Sequence, residues 1–135
     1  YKESGPVIET PLSGAQCIHD MLIQSWGGKL RIFPALPDVE ECLLLGLRTE
    51  GAFKVSANRK NGKTLFIHIK SLAGEPCIVT TDIVNPYSKG NGRFTVQTTN
   101  NGTYQIDLKK GEEVLSIPKD RFRTHNLPYS TCFQK

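Results

Sequence analysis

Gly27-Gly28 marks a change of hydrophobic period that constrains this chain more than any other feature. Before it, Leu12, Ala15, Ile18, Leu22 and Trp26 recur at three- and four-residue spacing, which is one apolar stripe along an α-helix. After it the spacing becomes two. Thr10-Pro11 predicts the helix start, with Thr10 as N-cap and Pro11 at the first helical position, where a missing N–H costs nothing. Gly27-Gly28 predicts the stop, because glycine accepts the left-handed conformation past a helix end. At 3.6 residues per turn, Gly14, Cys17 and Met21 fall roughly opposite the stripe. The outer face of a helix on a small domain is normally polar. This one is apolar or small on both sides, so it is built to lie between two neighbours.

The period-two region predicts strands. Phe53, Val55 and Ala57 alternate with Lys54, Ser56 and Asn58, and Leu65, Ile67 and Ile69 alternate with Phe66, His68 and Lys70. Asn61-Gly62 between these runs is the strongest short hairpin signal. Leu30-Arg31-Ile32-Phe33 runs into Pro34-Ala35-Leu36-Pro37, whose prolines forbid both helix and central strand. Ile78-Val79, Phe94-Thr95-Val96, Tyr104-Gln105-Ile106-Asp107-Leu108 and Val114-Leu115-Ser116-Ile117 read as further strands. Asn100-Asn101-Gly102 and Lys110-Gly111 read as hairpin turns joining the last three. The run from Asn85 to Gly92 is expected to be the longest loop, and residues 121–135 a tail wrapping the sheet. The predicted fold class is therefore mainly β: an antiparallel β-sandwich or open barrel of about eight short strands after one N-terminal α-helix. The expected division is residues 1–28 for the helix and 29–135 for the β-sandwich.

A length of 135 residues suits one core. The formal charge of +4 is spread among interleaved acids and bases, as in Lys109-Lys110-Gly111-Glu112-Glu113. Without a cationic stripe, nucleic acid is not an expected partner. No apolar run approaches the roughly 20 residues of a membrane helix. The start at Tyr1-Lys2-Glu3-Ser4 shows neither an initiator methionine nor a signal-peptide pattern, and the expectation is a processed or excised piece. The four cysteines, Cys17, Cys42, Cys77 and Cys132, lack metal-ligand spacing and read as free, mostly half-buried thiols.

Candidate chemistry is sparse. His19, His68 and His125 share no ligand spacing, so no metal site is expected, and no Gly-rich loop opens a helix to hold a phosphate or cofactor. Ser13 lacks an identifiable base. Tyr87, Tyr104, Tyr129 and Trp26 offer flat faces for sugar rings, with Tyr87, in the polar loop, the best placed for a substrate. Glu9 precedes the helix, where backbone amides favour a carboxylate.

The stretch Val7-Ile8-Glu9-Thr10-Pro11-Leu12-Ser13-Gly14-Ala15-Gln16-Cys17-Ile18-His19-Asp20-Met21-Leu22-Ile23-Gln24-Ser25 resembles the last barrel helix of glycoside hydrolase family 95, the α-L-fucosidase type. Leu30-Arg31-Ile32-Phe33-Pro34-Ala35-Leu36-Pro37 is similar to that family's phe-pro-ala-leu-pro crossing. Leu47-Arg48-Thr49-Glu50-Gly51-Ala52-Phe53-Lys54-Val55-Ser56-Ala57 is similar to the first long strand of its C-terminal β domain. The resemblance covers residues 7–76. It implies a chain that ends such an enzyme, with the (α/α)6 catalytic barrel upstream as its partner, a carbohydrate substrate, and a periplasmic or extracellular location. It also implies inverting hydrolysis by two carboxyl groups roughly 6.5–9.5 Å apart. Glu9 takes the place of the family's catalytic aspartate in an ile-asp-gly-asn-phe-gly run. Here that run is Ile8-Glu9-Thr10-Pro11-Leu12-Ser13, without the asparagine and glycines, so the loop shape differs and the sugar stays open. The expected function is a C-terminal structural β domain, inactive in isolation, whose helix is exposed, displaced or dimerised. The competing expectation is a free-standing carbohydrate-binding or protein-interaction β module.

Overall fold

The structure is a computed structural model that describes residues 8–100 and 102–120. Helix α1 spans Glu9–Leu22. Among the described residues ten strands follow: β1 (Ile23–Gln24), β2 (Leu30–Ile32), β3 (Glu41–Thr49), β4 (Phe53–Lys60), β5 (Lys63–Ser71), β6 (Pro76–Thr80), β7 (Pro86–Asn91), β8 (Thr95–Asn100), β9 (Thr103–Asp107) and β10 (Glu113–Pro118). They form two five-stranded sheets, ordered β1-β2-β6-β9-β8 and β3-β4-β5-β10-β7. Every pairing is antiparallel except β2 with β6.

The two sheets face each other across one core. Ile23, Ile32, Cys77, Val79 and Ile106 come from the first sheet, and Leu44, Val55, Ala57, Ile67, Ile69 and Val114 from the second. Period-two patterning does this directly, because alternate residues of a strand point to one face. Val55, Ile69 and Val114 stand opposite one another on three neighbouring strands, and each is at most 1% exposed. The sandwich predicted from the alternation is thus the fold that forms.

Several local expectations are corrected. Thr10 is not the N-cap: Ile8 holds that position without a side-chain cap, and Thr10 and Pro11 lie inside the first turn. Pro11 is tolerated there because first-turn amides have no intrahelical acceptor. The helix also ends four residues before Trp26, at Leu22, where Ile23 turns to extended backbone. Ile23 is fully buried and pairs with Ile32, so core burial overrides continuation of the helical stripe. Gly27 and Gly28, at φ 69° and 71°, instead turn the chain between β1 and β2. Trp26 lies in that turn rather than on the helix.

The segment resembling a single long strand is two: β3 ends at Thr49, and Glu50-Gly51-Ala52 turns the chain into β4. Asn61 and Gly62 do form the predicted hairpin turn between β4 and β5, both with positive φ as a type I′ turn requires. Lys110-Gly111 is not a hairpin, since β9 and β10 belong to different sheets and this turn crosses between them. The expected loop from Asn85 to Gly92 contains strand β7, paired with β10 at the sheet's edge. Residues 121–135, with their expected wrapping role, lie outside the described residues.

Candidate functional site

Helix α1 leaves the sandwich from its first edge strand. Its C-terminal turn is fixed by the backbone: the N–H of Phe33 donates to the Leu22 carbonyl at 2.8 Å, and that of Ala35 to the Met21 carbonyl at 3.4 Å. Phe33 itself has φ 53° and is buried, so the Phe-Pro crossing is a bent strap under the helix end. No residue of α1 is buried. Leu22 and Met21 are half-buried, whereas Leu12 is 62% and Ile18 56% exposed, and Cys17 on the other face is exposed as well. Both faces of the helix are therefore uncovered over three of its turns.

Glu9 is the first residue of α1 and is exposed. A carboxylate at this position is favoured by the partial positive charge of the helix N-terminus. Tyr87 sits on β7 in the second sheet, half-buried against Leu65, Phe66 and Ile117. Because α1 packs on β1 and β7 packs on β10, the structure does not bring Glu9 and Tyr87 into one site.

The other aromatic candidates have structural neighbours. Tyr104 is buried, donates its hydroxyl proton to the Ile83 carbonyl at 2.7 Å, and accepts from the Asn85 N–H at 3.1 Å. Trp26 is 61% exposed with the Arg31 guanidinium 4.1 Å above its ring, a cation–π contact that covers one face of the indole. Tyr129 lies outside the described residues.

His19 is on α1 beside Asp20, with Nδ1 3.7 Å from Oδ1. His68 is on β5, its Nε2 3.5 Å from Glu113 Oε2 on β10. Burial holds the His68 imidazole below its ordinary value, aided by Lys70 and Lys54, while Glu113 opposes this. His125 lies outside the described residues, among which no three His, Cys, Asp or Glu side chains gather as a metal site. Cys17, Cys42 and Cys77 are free thiols, and burial pushes the Cys77 thiol up to about 12, which makes it unreactive. Cys132 is outside the described residues.

One concavity was missed from the sequence. On the outer face of the second sheet a hollow of about 520 Å³ is lined by Leu45, Gly46, Lys54, Ser56, His68, Lys70 and Glu113. It exists because β3 bulges between Leu44 and Leu47, and strand alternation alone does not reveal a bulge. The hint in the sequence is Gly46 interrupting the apolar run from Leu43 to Leu47.

A sequence model described as glycoside hydrolase family 95, C-terminal domain, matches residues 24–115. The match starts just after α1 and runs into β10, so it covers nearly all of the sandwich. No curated protein matches the chain. No helix among the described residues is long and apolar enough to cross a membrane. The two-sheet fold and the match over most of its length place this chain in the C-terminal domain family of glycoside hydrolase family 95.

Proposed function

We propose that this chain is the structural β domain that closes an α-L-fucosidase-type glycoside hydrolase, and that α1 is a helix of the adjoining catalytic barrel. The observation that carries this reading is the uncovered helix joined to a finished sandwich. The sandwich buries its own core, while Leu12, Ile18 and Cys17 lie on a helix that the domain leaves open on both sides. A free-standing module gains nothing from exposing such residues, whereas a barrel helix needs two apolar faces.

On this reading the sandwich braces the barrel through the backbone bonds at Leu22 and Met21. Glu9, at the head of α1, stands at the rim of the barrel as one of two carboxyl groups of an inverting hydrolysis, and the acid partner belongs to the barrel. Tyr87 is kept as a weaker substrate contact. On this reading the location is periplasmic or extracellular.

The test is direct. The 135-residue chain is expected to show no turnover of aryl glycosides, the α-L-fucoside included, and measurable hydrolysis by the purified chain would overturn the assignment. In a chain carrying the barrel ahead of α1, Glu9→Gln is expected to reduce kcat by at least about a hundredfold, the usual scale for a general acid or base. An unchanged kcat would remove Glu9 from the chemistry while leaving the bracing role intact.

A further inference from the structure

The outer face of the second sheet carries an arrangement of charge that the bracing role does not use. Arg48 on β3 stands opposite Lys54 on β4, Lys54 opposite Lys70 on β5, and Lys70 opposite Glu113 on β10. Directly opposed residues of a sheet share a face, with Cβ atoms about 4.5–5.5 Å apart, and like charges placed so repel. Three cations thus sit side by side against one carboxylate. That carboxylate is already shared, with Oε2 3.9 Å from Lys70 Nζ and 3.5 Å from His68 Nε2.

The rest of the chain offers little relief. Glu41 on the same face is engaged by Lys60 at 3.2 Å and by Asn58 at 3.1 Å, at the far end of β3. Among the described residues Arg48 and Lys54 have no carboxylate within ion-pair distance. Of residues 1–7 and 121–135, only Glu3 is acidic. A row of like charges of this kind focuses a positive field and attracts a negative ligand.

The row is not a flat charged surface. The β3 bulge puts Gly46 at φ 64°, and the Gly46 N–H donates to Ser56 Oγ at 2.9 Å. Lys54 lies across Gly46, its Cε 2.7 Å from where a Cβ on that residue would stand, and so arches over the hollow. The floor is Ser56 and His68, the walls are Lys54, Lys70 and Glu113, and Leu45, 64% exposed, forms an apolar lip. A hydroxyl floor, charged walls and an apolar lip suit a ring with both polar edges and a C–H face. Bulges commonly re-aim side chains beside binding sites.

We infer that this hollow is a second carbohydrate site, and that it takes an anionic sugar unit bearing a carboxylate or a sulfate. The acid group pairs with Lys54 and Lys70, its ring hydroxyls meet Ser56 and Glu113, and a C–H face rests on Leu45. Arg48 extends the positive field along the chain of the glycan. The site is independent of the fate of α1, so it stands or falls separately from the bracing role and from Glu9.

Isothermal titration of the 135-residue chain with oligogalacturonates, dextran sulfate oligomers and neutral dextran oligomers of equal length tests it. At least one acidic series is expected to bind and neutral dextran is not; the first two arms tell carboxylate from sulfate. Lys54→Gln and Lys70→Gln are each expected to weaken binding about fivefold to tenfold, as for loss of one charged hydrogen bond. Glu113→Gln, which removes the one opposing charge of the row while its amide oxygen still accepts from a ring hydroxyl, is expected to strengthen it. Lys63→Gln, at the first residue of β5 and outside the hollow, is the control for net charge and is expected to change binding less than twofold. Circular dichroism melts verify that each variant is folded, and either lysine variant alone suffices. The inference is overturned if no acidic series binds, if neutral dextran binds equally well, if both lysine variants bind as the parent does, or if poly-glutamate of matching length competes equally.

Discussion

His68 shows how one side chain records its surroundings. It lies in β5 with its ring mostly covered, facing Glu113 from β10, Lys70 from its own strand and Lys54 from β4. Burial disfavours the imidazolium, both lysines add to that, and Glu113 only partly compensates, so the folded value lies below the ordinary 6.5. The unfolded chain therefore binds a proton at a pH where the folded chain still refuses it, and stability rises with pH across that window. Thermal melts are expected to be level above about pH 6.5 and to fall as the pH drops from there toward the lowered folded value. His68→Gln is expected to flatten that slope between pH 5 and 6.5, above the range where Glu41 titrates. A proton NMR titration placing His68 above its ordinary value would reverse the argument. The cysteines are consistent in kind: burial alone separates the inert Cys77 from the exposed Cys17.

At the scale of elements, what was legible followed from burial on one face. β4, β5, β9 and β10 alternate apolar with polar because one side of each meets the core, and that alternation is written in the residues. β7 was read as a loop because an edge strand paired only with β10 has little apolar obligation: Ser88, Lys89 and Gly90 form it through the backbone. Lys110-Gly111 signals a turn, but turn chemistry does not say which sheet the next strand joins. Most instructive is Ile23. Helical spacing runs through it, yet its side chain is wholly buried and its backbone pairs with β2, so tertiary burial decides where the helix ends. Ile23→Ala is accordingly expected to destabilise the domain by about 2–5 kcal/mol, the cost of a core cavity. Leu12→Ala, on the uncovered helix, is expected to change stability by less than about 0.5 kcal/mol. Urea titrations of the two variants distinguish a core strand from the uncovered turns of a helix that meets this core only at its last residue, Leu22. The candidate site was less legible than the fold. Glu9 came from resemblance alone, and the hollow at Gly46 depends on a bulge that no periodicity announces.

The whole molecule is unequal in its parts, and the inequality can be measured. The sandwich places two sheets on one core, and its long-range ladders protect most amides from water. α1 is a single helix of 14 residues with none buried, held at its C-terminal end by Phe33 and Ala35. Helices shorter than about 12–15 residues are marginal in water without packing. Its hydrogen bonds of the Gln16–Asp20 kind are worth only about 0.2–0.5 kcal/mol each. In the isolated chain, amides from Ser13 to Ile18 are therefore expected to exchange with deuterium within about tenfold of an unstructured peptide. Those of Val55, Ile69 and Val114 are expected to be protected to the limit set by global unfolding. Removing residues 1–20 should leave the sandwich's melting temperature within a few degrees, since about 1 kcal/mol moves a domain of this size by about 4 °C. If α1 belongs to a barrel, restoring that barrel must bring the helix's amides, and the Cys17 thiol beside them, to the protection of the sandwich strands. A helix already protected in the isolated chain would instead mean that the sandwich, or a second copy of the chain, covers it, and the bracing role would lose the observation on which it rests.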